Sequence, residues 1–210
     1  MEESMSRCVI AGAAPYTDAA YLSAYLREDD YLIAADGGQH LLQAMGRTPD
    51  LLVADFDSSE PPCSSTDCMT LPTRKDDTDV LAAMREALKR GYREFLLLGC
   101  LGGRLDHTMA NLFLLRFLAD HGAQGLLVDE HHEISLLMPG DYALPCRPHT
   151  YFSLFPFGGD AVGVTLQHAA YPLENAVLTS SFPLGVSNEF LADDVQLSFL
   201  KGFLLLIVNI

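Results

Sequence analysis

Two aspartates stand one residue apart at the end of an apolar run, in the segment LLVADFDS at 51–58. In a strand, residues i and i+2 point to the same face, so Asp55 and Asp57 can reach one ligand together. Such a pair can bind a hard divalent cation, can include a nucleophile that attacks phosphate, or can simply end a strand. The residues elsewhere in the chain decide among these three uses.

Further aspartates follow other apolar runs. Asp36 follows YLIAA, Asp106 lies in LGGRLDH after FLLLGC, and KDDTD at 75–79 precedes a helical pattern. If the apolar runs are parallel strands, their carboxyl ends share one rim of a sheet, where open α/β sheets bind ligands. Two unit charges ~4 Å apart repel by roughly 4 kcal/mol at an effective dielectric of about 20, so this many carboxylates require a cation.

Mg²⁺ is the cation that these oxygen donors favour when phosphates share the site. The basic residues near the same rim are Arg74, Lys75 and Arg104, which suit phosphate oxygens. The glycine pairs at 37–38 and 102–103 allow backbone N–H groups to approach phosphate. One aspartate at a strand end is as often a turn-former, but several at matched positions favour a binding site. The aspartates of this predicted rim are Asp36, Asp55, Asp57, Asp77, Asp79 and Asp106.

The apolar runs that carry these residues predict an α/β fold. They are continuously apolar, which is typical of parallel strands buried on both faces, and helical patterns alternate with them. The segment EPPCSSTDC at 60–68 is predicted to be a loop, and Thr17 is the predicted N-cap of the first helix. The predicted strands are RCVIAGA, YLIAADGG, LLVAD, FLLLGC and GLLVDE, and the predicted helices are 17–28, 38–46, 77–91 and 107–122.

The pattern changes after about residue 132, where short strand-like segments are separated by Gly, Pro and Asp. The Lys201-Gly202 pair between the last two segments predicts a tight hairpin. We therefore predict an α/β protein of two domains. Residues 1–132 form a three-layer α/β/α domain with a mostly parallel sheet, and residues 133–210 form an all-β sandwich.

Composition excludes several classes of function. The net charge of −15 disfavours nucleic-acid binding and adhesion to an anionic membrane. The N-terminus lacks a secretory signal, and the apolar run at 203–208 is too short to span a bilayer. Five cysteines without a C-x-x-C pair favour free thiols and a cytoplasmic location. The chain lacks the P-loop motif, the G-x-G-x-x-G fingerprint and the G-x-S-x-G elbow.

Several segments together resemble thiamine pyrophosphokinases of the bacterial type. They are ADGGQHLL, GRTPDLLVADFDS, KDDTDVLAAMREAL, GCLGGRLDHTMANL, YPL and GVSNEF, which occur in the order of that family. The resemblance implies transfer of a pyrophosphoryl group from ATP to the hydroxyl of thiamine, with thiamine diphosphate and AMP as products. It also implies a homodimer with thiamine bound between the subunits.

The resemblance also implies roles for matching residues. Asp55, Asp57 and Asp79 would bind the metal ion and the triphosphate, and Asp106 would order Arg104 or the nucleophile. The implied catalytic residues are Asp55, Asp57, Asp79, Arg104 and Asp106. The implied ATP-binding residues are Asp36, Gly37, Lys75, Asp77, Thr78, Gly102, Gly103, Arg104 and His107.

In the second domain, Ser187 and Asn188 would contact the aminopyrimidine of thiamine. The chain has no Trp, which eukaryotic members of the family place against thiamine, so Phe190 is the candidate for stacking. The segment HAAYPL at 168–173 departs from the family's pattern and is given no role.

Five other residues suit structural roles. His107 is expected to cap or support the helix that it begins, and Asn111 to satisfy polar groups near the site. Cys100 is expected to pack in the core. His131 and its neighbour His132 point to opposite faces of a strand, so a solvated connection is favoured over a metal site.

Two alternative functions stay open from the residues alone. Asp55 could be the nucleophile of a haloacid-dehalogenase-like phosphatase, whose D-x-D motif also follows an apolar strand. That motif normally opens the chain, whereas here a complete β-α-β unit precedes it. The chain could also be a non-catalytic module that binds Mg²⁺ and a nucleotide.

Overall fold

The structure is a computed structural model that describes residues 6–54, 67–71 and 77–210. The chain divides into two compact units, Met1–Glu130 and His131–Ile210. No helix among the described residues is long and apolar enough to cross a membrane. The binding of ATP by the first domain and of thiamine by the second stays a prediction.

Parallel strands form the sheet of the first unit, as predicted. Their order is β6-β5-β1-β2-β3-β4, and every paired neighbour runs parallel. All four residues of β1 are fully buried, so both faces of the sheet are covered. The strands are β1 (Cys8–Ala11), β2 (Tyr31–Ala35), β3 (Leu51–Ala54), β4 (Asp67–Thr70), β5 (Glu94–Leu98) and β6 (Gln124–Val128).

The four helices of the described first unit are those predicted, but their bounds differ by up to five residues. The predicted helix at 17–28 is wrong in extent, because only five residues are helical and its N-cap is Asp18 instead of Thr17. The Glu130 carboxylate accepts the backbone N–H groups of Thr17 and Asp18, which holds Thr17 outside the helix. The helices are α1 (Ala19–Ser23), α2 (Gly38–Ala44), α3 (Asp79–Lys89) and α4 (Leu105–Asp120).

The prediction of a loop at 60–68 is wrong at its end. Strand β4 begins at Asp67 and pairs in parallel with β3. Three of its four residues are exposed, so the strand shows no apolar pattern and is defined by main-chain pairing alone. It lies at the edge of the sheet, next to β3, whose last residue Ala54 directly precedes Asp55.

The second unit is a sandwich of two antiparallel sheets, which confirms the predicted fold class. One sheet has the order β12-β9-β14-β7 and the other β11-β10-β13-β8. Buried side chains from both sheets, such as Phe152, Val164 and Phe199, form one core. The strands are β7 (His132–Leu137), β8 (Gly140–Leu144), β9 (Tyr151–Pro156), β10 (Ala161–Gln167), β11 (Leu173–Leu178), β12 (Asn188–Glu189), β13 (Val195–Phe199) and β14 (Leu204–Asn209).

The predicted hairpin at Lys201-Gly202 is wrong, because β13 and β14 belong to different sheets. The connection instead binds β10: Val162 donates to Lys201 O at 2.9 Å and accepts from Leu200 N at 2.9 Å. Gly202 has φ 90°, and a Cβ there would lie 2.4 Å from Asp160 O. Gly202 is therefore needed where the chain passes close to Asp160 on its way from one sheet to the other, and it does not form a two-residue turn.

Candidate functional site

The loop that follows β1 packs against the loop that follows β5. Ala14 N donates to Gly99 O at 2.8 Å. A Cβ on Gly12 would lie 2.5 Å from Gly99 O, and a Cβ on Gly103 would lie 2.9 Å from Pro15 Cδ. Neither glycine has room for a side chain, so residues 12–15 hold the LGGRLDH loop in place.

The loop that follows β2 meets the same β1 loop from its other side. A Cβ on Gly37 would lie 3.1 Å from the Cβ of Ala13. Asp36 has φ 51°, a conformation that costs energy for any residue with a side chain, and its N–H donates to Val53 O at 2.9 Å. The three loops after β1, β2 and β5 therefore meet at one rim, as predicted for the last two.

The role of residues 12–15 was missed by the sequence reasoning. Their sequence, Gly-Ala-Ala-Pro, carries no charge, whereas the predicted rim is defined by its aspartates, its basic residues and its glycine pairs. A run of small residues directly after a buried strand is the signal that could have found them, since small side chains let neighbouring backbones approach closely.

Arg104 and Asp106 form a forked ion pair at the start of α4. Arg104 Nε lies 3.1 Å from Asp106 Oδ1, and Nη2 lies 2.6 Å from Oδ2. The hydrogen bonds from Arg104 hold the pKa of Asp106 below its ordinary value, and the backbone N–H of His107 contributes at 3.0 Å. Asp106 thus contacts Arg104 as expected. His107 is the third residue of α4 and not its cap, because the helix begins at Leu105.

The start of α3 carries Asp77, Thr78 and Asp79. Thr78 is the N-cap, and its hydroxyl accepts from Leu81 N at 3.2 Å. Asp77 lies 3.3 Å from Arg85 Nε, and this ion pair holds the Asp77 side chain against α3. Asp79 occupies the first helical turn, where the helix dipole favours a negative charge.

The predicted metal ligands are described only in part. Asp55, Asp57 and Lys75, with Arg74, lie outside the described residues. Within 6–54, 67–71 and 77–210, no three His, Cys, Asp or Glu side chains lie close enough together to hold a metal ion. Of the three predicted ligands, the structure describes Asp79. The donor set consists of carboxylates alone, which fits Mg²⁺ and not a soft metal.

The second unit contains a cavity of ≈ 490 Å³. Its walls are mainly apolar, with a few polar groups at one side, which is typical of small-molecule sites. The predicted residues Ser187 and Asn188 both line it. The full lining is Phe152, Leu154, Leu166, Tyr171, Pro172, Leu173, Leu184, Gly185, Val186, Ser187 and Asn188.

Asn188 holds the backbone of Tyr171 through its side-chain amide. Nδ2 donates to Tyr171 O at 2.7 Å, and Oδ1 accepts from Tyr171 N at 3.0 Å. Asn188 is buried, whereas Tyr171 is 64 % exposed. The neighbouring Ser187 has φ 57° and donates its N–H to Ser153 Oγ at 3.0 Å. Asn188 therefore positions a wall of the cavity through the backbone of residue 171.

The stacking role expected for Phe190 does not fit the structure. Phe190 is 6 % exposed and packs against Phe152, with ring centroids 4.7 Å apart, inside the sandwich core. The segment that was given no role supplies Tyr171, Pro172 and Leu173 to the cavity lining. Tyr171 is the exposed aromatic residue at this cavity.

Asn111 and Cys100 have the structural roles that were expected. Asn111 is buried and donates from Nδ2 to Cys100 O at 2.7 Å. Burial raises the pKa of the Cys100 thiol to about 12, which suppresses the nucleophilic thiolate. The rings of His131 and His132 lie edge to face, with centroids 6.1 Å apart, and His132 is the first residue of β7.

Comparisons with known proteins agree with this division of the chain. The family described as "Thiamin pyrophosphokinase, catalytic domain" matches residues 22–128, and "Thiamin pyrophosphokinase, vitamin B1 binding domain" matches residues 141–204. The chain is 30 % identical to the thiamine pyrophosphokinase of Bacillus subtilis over 193 residues, which are 89 % of this chain and 90 % of the relative.

Two solved structures share the whole architecture. The crystal structure of thiamine pyrophosphokinase from Bacillus subtilis matches with a TM-score of 0.87 at 28 % identity, over 97 % of this chain and 98 % of the other. That from Geobacillus thermodenitrificans matches with a TM-score of 0.84 at 28 % identity, over 97 % of each chain. The yeast enzyme, at 14 % identity and a TM-score of 0.72 over 99 % of this chain and 87 % of the other, shares the fold.

Proposed function

Because the chain belongs to the thiamin pyrophosphokinase family and transfers a pyrophosphoryl group from ATP to thiamine, we propose that ATP binds at the rim of the first unit and thiamine in the cavity of the second. The observation that carries this proposal is the cavity of ≈ 490 Å³, whose lining lies entirely within the region matched by the vitamin B1 binding family. Thiamine diphosphate and AMP are the products. Neither the phosphatase nor the non-catalytic module is favoured.

The triphosphate is assigned to the loops after β1, β2 and β5. Gly102 and Gly103 have φ 83° and 64°, backbone conformations that turn their N–H groups away from the regular strand direction. Asp106 holds two nitrogens of the Arg104 fork, and the third, Nη1, is the group proposed to meet a phosphate oxygen. The remaining ATP-binding residues of the proposal are Asp36, Gly37, Lys75, Asp77, Thr78 and His107.

Mg²⁺ is the proposed metal ion, with Asp55, Asp57 and Asp79 as its ligands. When bound, it would neutralise charge on the phosphates of ATP. Phosphoryl-type transfer needs positioning and neutralisation more than covalent catalysis, and the chain supplies positioning through the closely packed rim loops. The catalytic set is therefore Asp55, Asp57, Asp79, Arg104 and Asp106.

Thiamine is assigned to the second-unit cavity, with Ser187 and Asn188 near its aminopyrimidine. Because the Asn188 amide is bound to the backbone of Tyr171, its part in the proposal is to hold that wall, and the exposed Tyr171 ring is the candidate for stacking. The strongly negative chain suits the cationic thiazolium ring.

A homodimer is part of the same proposal. Apolar side chains at the cavity are widely exposed in the single chain: Tyr171 at 64 %, Leu184 at 50 % and Val186 at 45 %. A second copy of the chain that covers them would complete the binding site for thiamine. A cytoplasmic location also belongs to the proposal, supported by the free thiols of Cys8, Cys100 and Cys146 among the described residues.

We expect purified protein with Mg-ATP and thiamine to form AMP and thiamine diphosphate in equal amounts. Chelation of the metal with EDTA should abolish turnover, and added Mg²⁺ should restore it. Product analysis by chromatography checks both results. Formation of ADP, or turnover that chelation leaves unchanged, would contradict the proposal. A phosphatase would instead release phosphate without thiamine, through a trappable phosphorylated Asp55.

Replacing Asn188 by alanine should raise KM for thiamine by about tenfold and leave KM for ATP unchanged. The backbone N–H and C=O of Tyr171 would lose their partners, at a cost of roughly 1–3 kcal/mol, and the cavity wall would lose its fixed position. Steady-state kinetics with each substrate varied separately measures the split.

A matched control for Asn188 is Asn209→Ala, an exposed asparagine at the end of β14 in the same unit. Its KM for thiamine should equal that of the parent protein. Equal changes in the two KM values of Asn188→Ala would mean that Asn188 supports the whole fold and not the thiamine cavity.

A further inference from the structure

A second cavity, of ≈ 460 Å³, lies on the first unit at the far ends of α3 and α4. Helix α4 has 16 residues, so its last turn lies roughly 24 Å from the first turn, which carries Asp106. The cavity therefore lies away from the start of α4, although its lining residue Arg85 pairs with Asp77 of the proposed ATP site. Its lining consists of Arg85, Leu88, Lys89, Arg93, Phe117 and His121.

The charge of this lining is opposite in sign to the net charge of the whole protein. The chain has 28 acidic and 13 basic residues, yet three of the six lining residues are Lys or Arg, a fourth is His, and none is acidic. An overall charge of −15 repels anions, so a local cluster of cations provides a place where an anion can be held.

Arg85 and His121 both contact the aromatic ring of Phe117. Arg85 Cζ lies 5.7 Å from the centre of the Phe117 ring, and the His121 ring centroid lies 4.2 Å from it. His121 Nδ1 donates to Phe117 O at 2.7 Å, because a carbonyl oxygen can only accept. Arg93 Nη1 donates to Leu88 O at 3.1 Å and to Tyr92 O at 2.8 Å.

Part of this charge has a role in helix stability. Lys89 and Arg93 lie at the C-terminal end of α3, where the helix dipole favours cations. Arg85, in the middle of the helix, pairs with Asp77 Oδ2 at 3.3 Å, and His121 is the C-cap of α4. These contacts use only some of the N–H groups of each side chain, so others remain for a ligand in the cavity.

We propose that this cavity is a binding site for the phosphate group of a small anion. Arg and Lys provide the charge, and a guanidinium offers paired N–H donors that match phosphate oxygens. The phosphate could be free or could belong to a nucleoside monophosphate, and the two sources are distinguished by experiment.

The test is a nuclear magnetic resonance titration of the full-length, isotope-labelled protein in EDTA. Inorganic phosphate in one arm and AMP in the other are added while the backbone amides of Arg93 and His121 are followed. We expect saturable shifts at both amides with a dissociation constant near or below about 1 mM. The amides of Gly102 and Gly103 report on the rim separately, so failure of one site does not hide the other.

Charge reversal supplies the specific variant. Lys89→Glu places a carboxylate in the cavity and should weaken phosphate binding by about tenfold or more. Lys201→Glu makes the same change in net charge in the second unit and should leave it unchanged. AMP binding about tenfold tighter than phosphate would identify a nucleotide as the ligand, and equal affinities would identify phosphate alone. No saturable shift, or equal weakening in both variants, would overturn the proposal.

Discussion

Replacement of Asp79 by asparagine is expected to lower kcat/KM for ATP by about 10²–10³-fold while the protein stays folded. The substitution keeps the size of the side chain and removes one negative charge from the proposed Mg²⁺ site. Thr78 remains as N-cap with its hydrogen bond from Leu81 N, so α3 still begins at the same place. The helix loses the interaction of the Asp79 charge with its dipole, about 0.3–1 kcal/mol.

Glu86→Gln is the matched control on the same helix. Glu86 binds Arg90 at 3.0 Å and Lys89 at 3.8 Å, two turns away from the rim. Loss of these partly exposed ion pairs should cost at most about 1 kcal/mol of unfolding free energy and leave turnover unchanged. Initial rates across a range of Mg²⁺ concentrations compare the two variants. A decrease of only a few-fold in Asp79→Asn, or no change in its Mg²⁺ dependence, would remove Asp79 from the metal site.

The sequence was sufficient to predict the parallel sheet because burial on both faces demands a distinctive composition. Strands such as YLIAA and FLLL carry no polar alternation, and the structure buries four of the five residues of β2 and of β5. Helix α3 was equally predictable, since its cap residue Thr78 and its terminating Gly91, with φ 97°, act locally. Local chemistry and extreme burial are the features that a single sequence reveals.

Features that depend on distant partners could not be predicted in this way. Thr17 is a good cap residue by type, but Glu130, 113 residues away, binds the N–H groups at the start of α1. Lys201-Gly202 has the composition of a tight turn, but the backbone of Leu200 and Lys201 forms hydrogen bonds with Val162 of another strand. In both cases a tertiary contact overrides a local preference.

The candidate site shows the same division. The charged rim residues could be proposed because their chemistry is visible in the sequence, whereas the loop at 12–15 that holds the rim together contains no polar side chain. The contact between Asn188 and Tyr171 spans 17 residues and is made by an amide to a backbone, which leaves no trace in the identity of residue 171. Positioning contacts of this kind therefore require a structure.

Gly38→Ala tests the close packing beneath the rim and should lower the free energy of unfolding by about 3–5 kcal/mol. Alanine stabilises an ordinary helical position by roughly 1 kcal/mol over glycine, so propensity alone predicts the opposite sign. Here the added Cβ would lie 1.9 Å from Ala11 O and 2.5 Å from Ala11 C. Those atoms belong to the backbone of β1, whose four residues are fully buried, so the strand cannot move aside at low cost.

Gly46→Ala, at the other end of α2, separates this packing effect from the effect of backbone conformation. Gly46 has φ 70° and no atom within 4 Å of its added Cβ, so the variant should lose only the roughly 1–2 kcal/mol of left-handed strain. Urea unfolding of both variants gives the two free energies. If Gly38→Ala is no less stable than Gly46→Ala, the end of β1 yields to the new side chain, and the rim loops are not held by close packing. If it is the less stable by the expected margin, the position of the ATP-binding loops depends on backbone contact at Gly38.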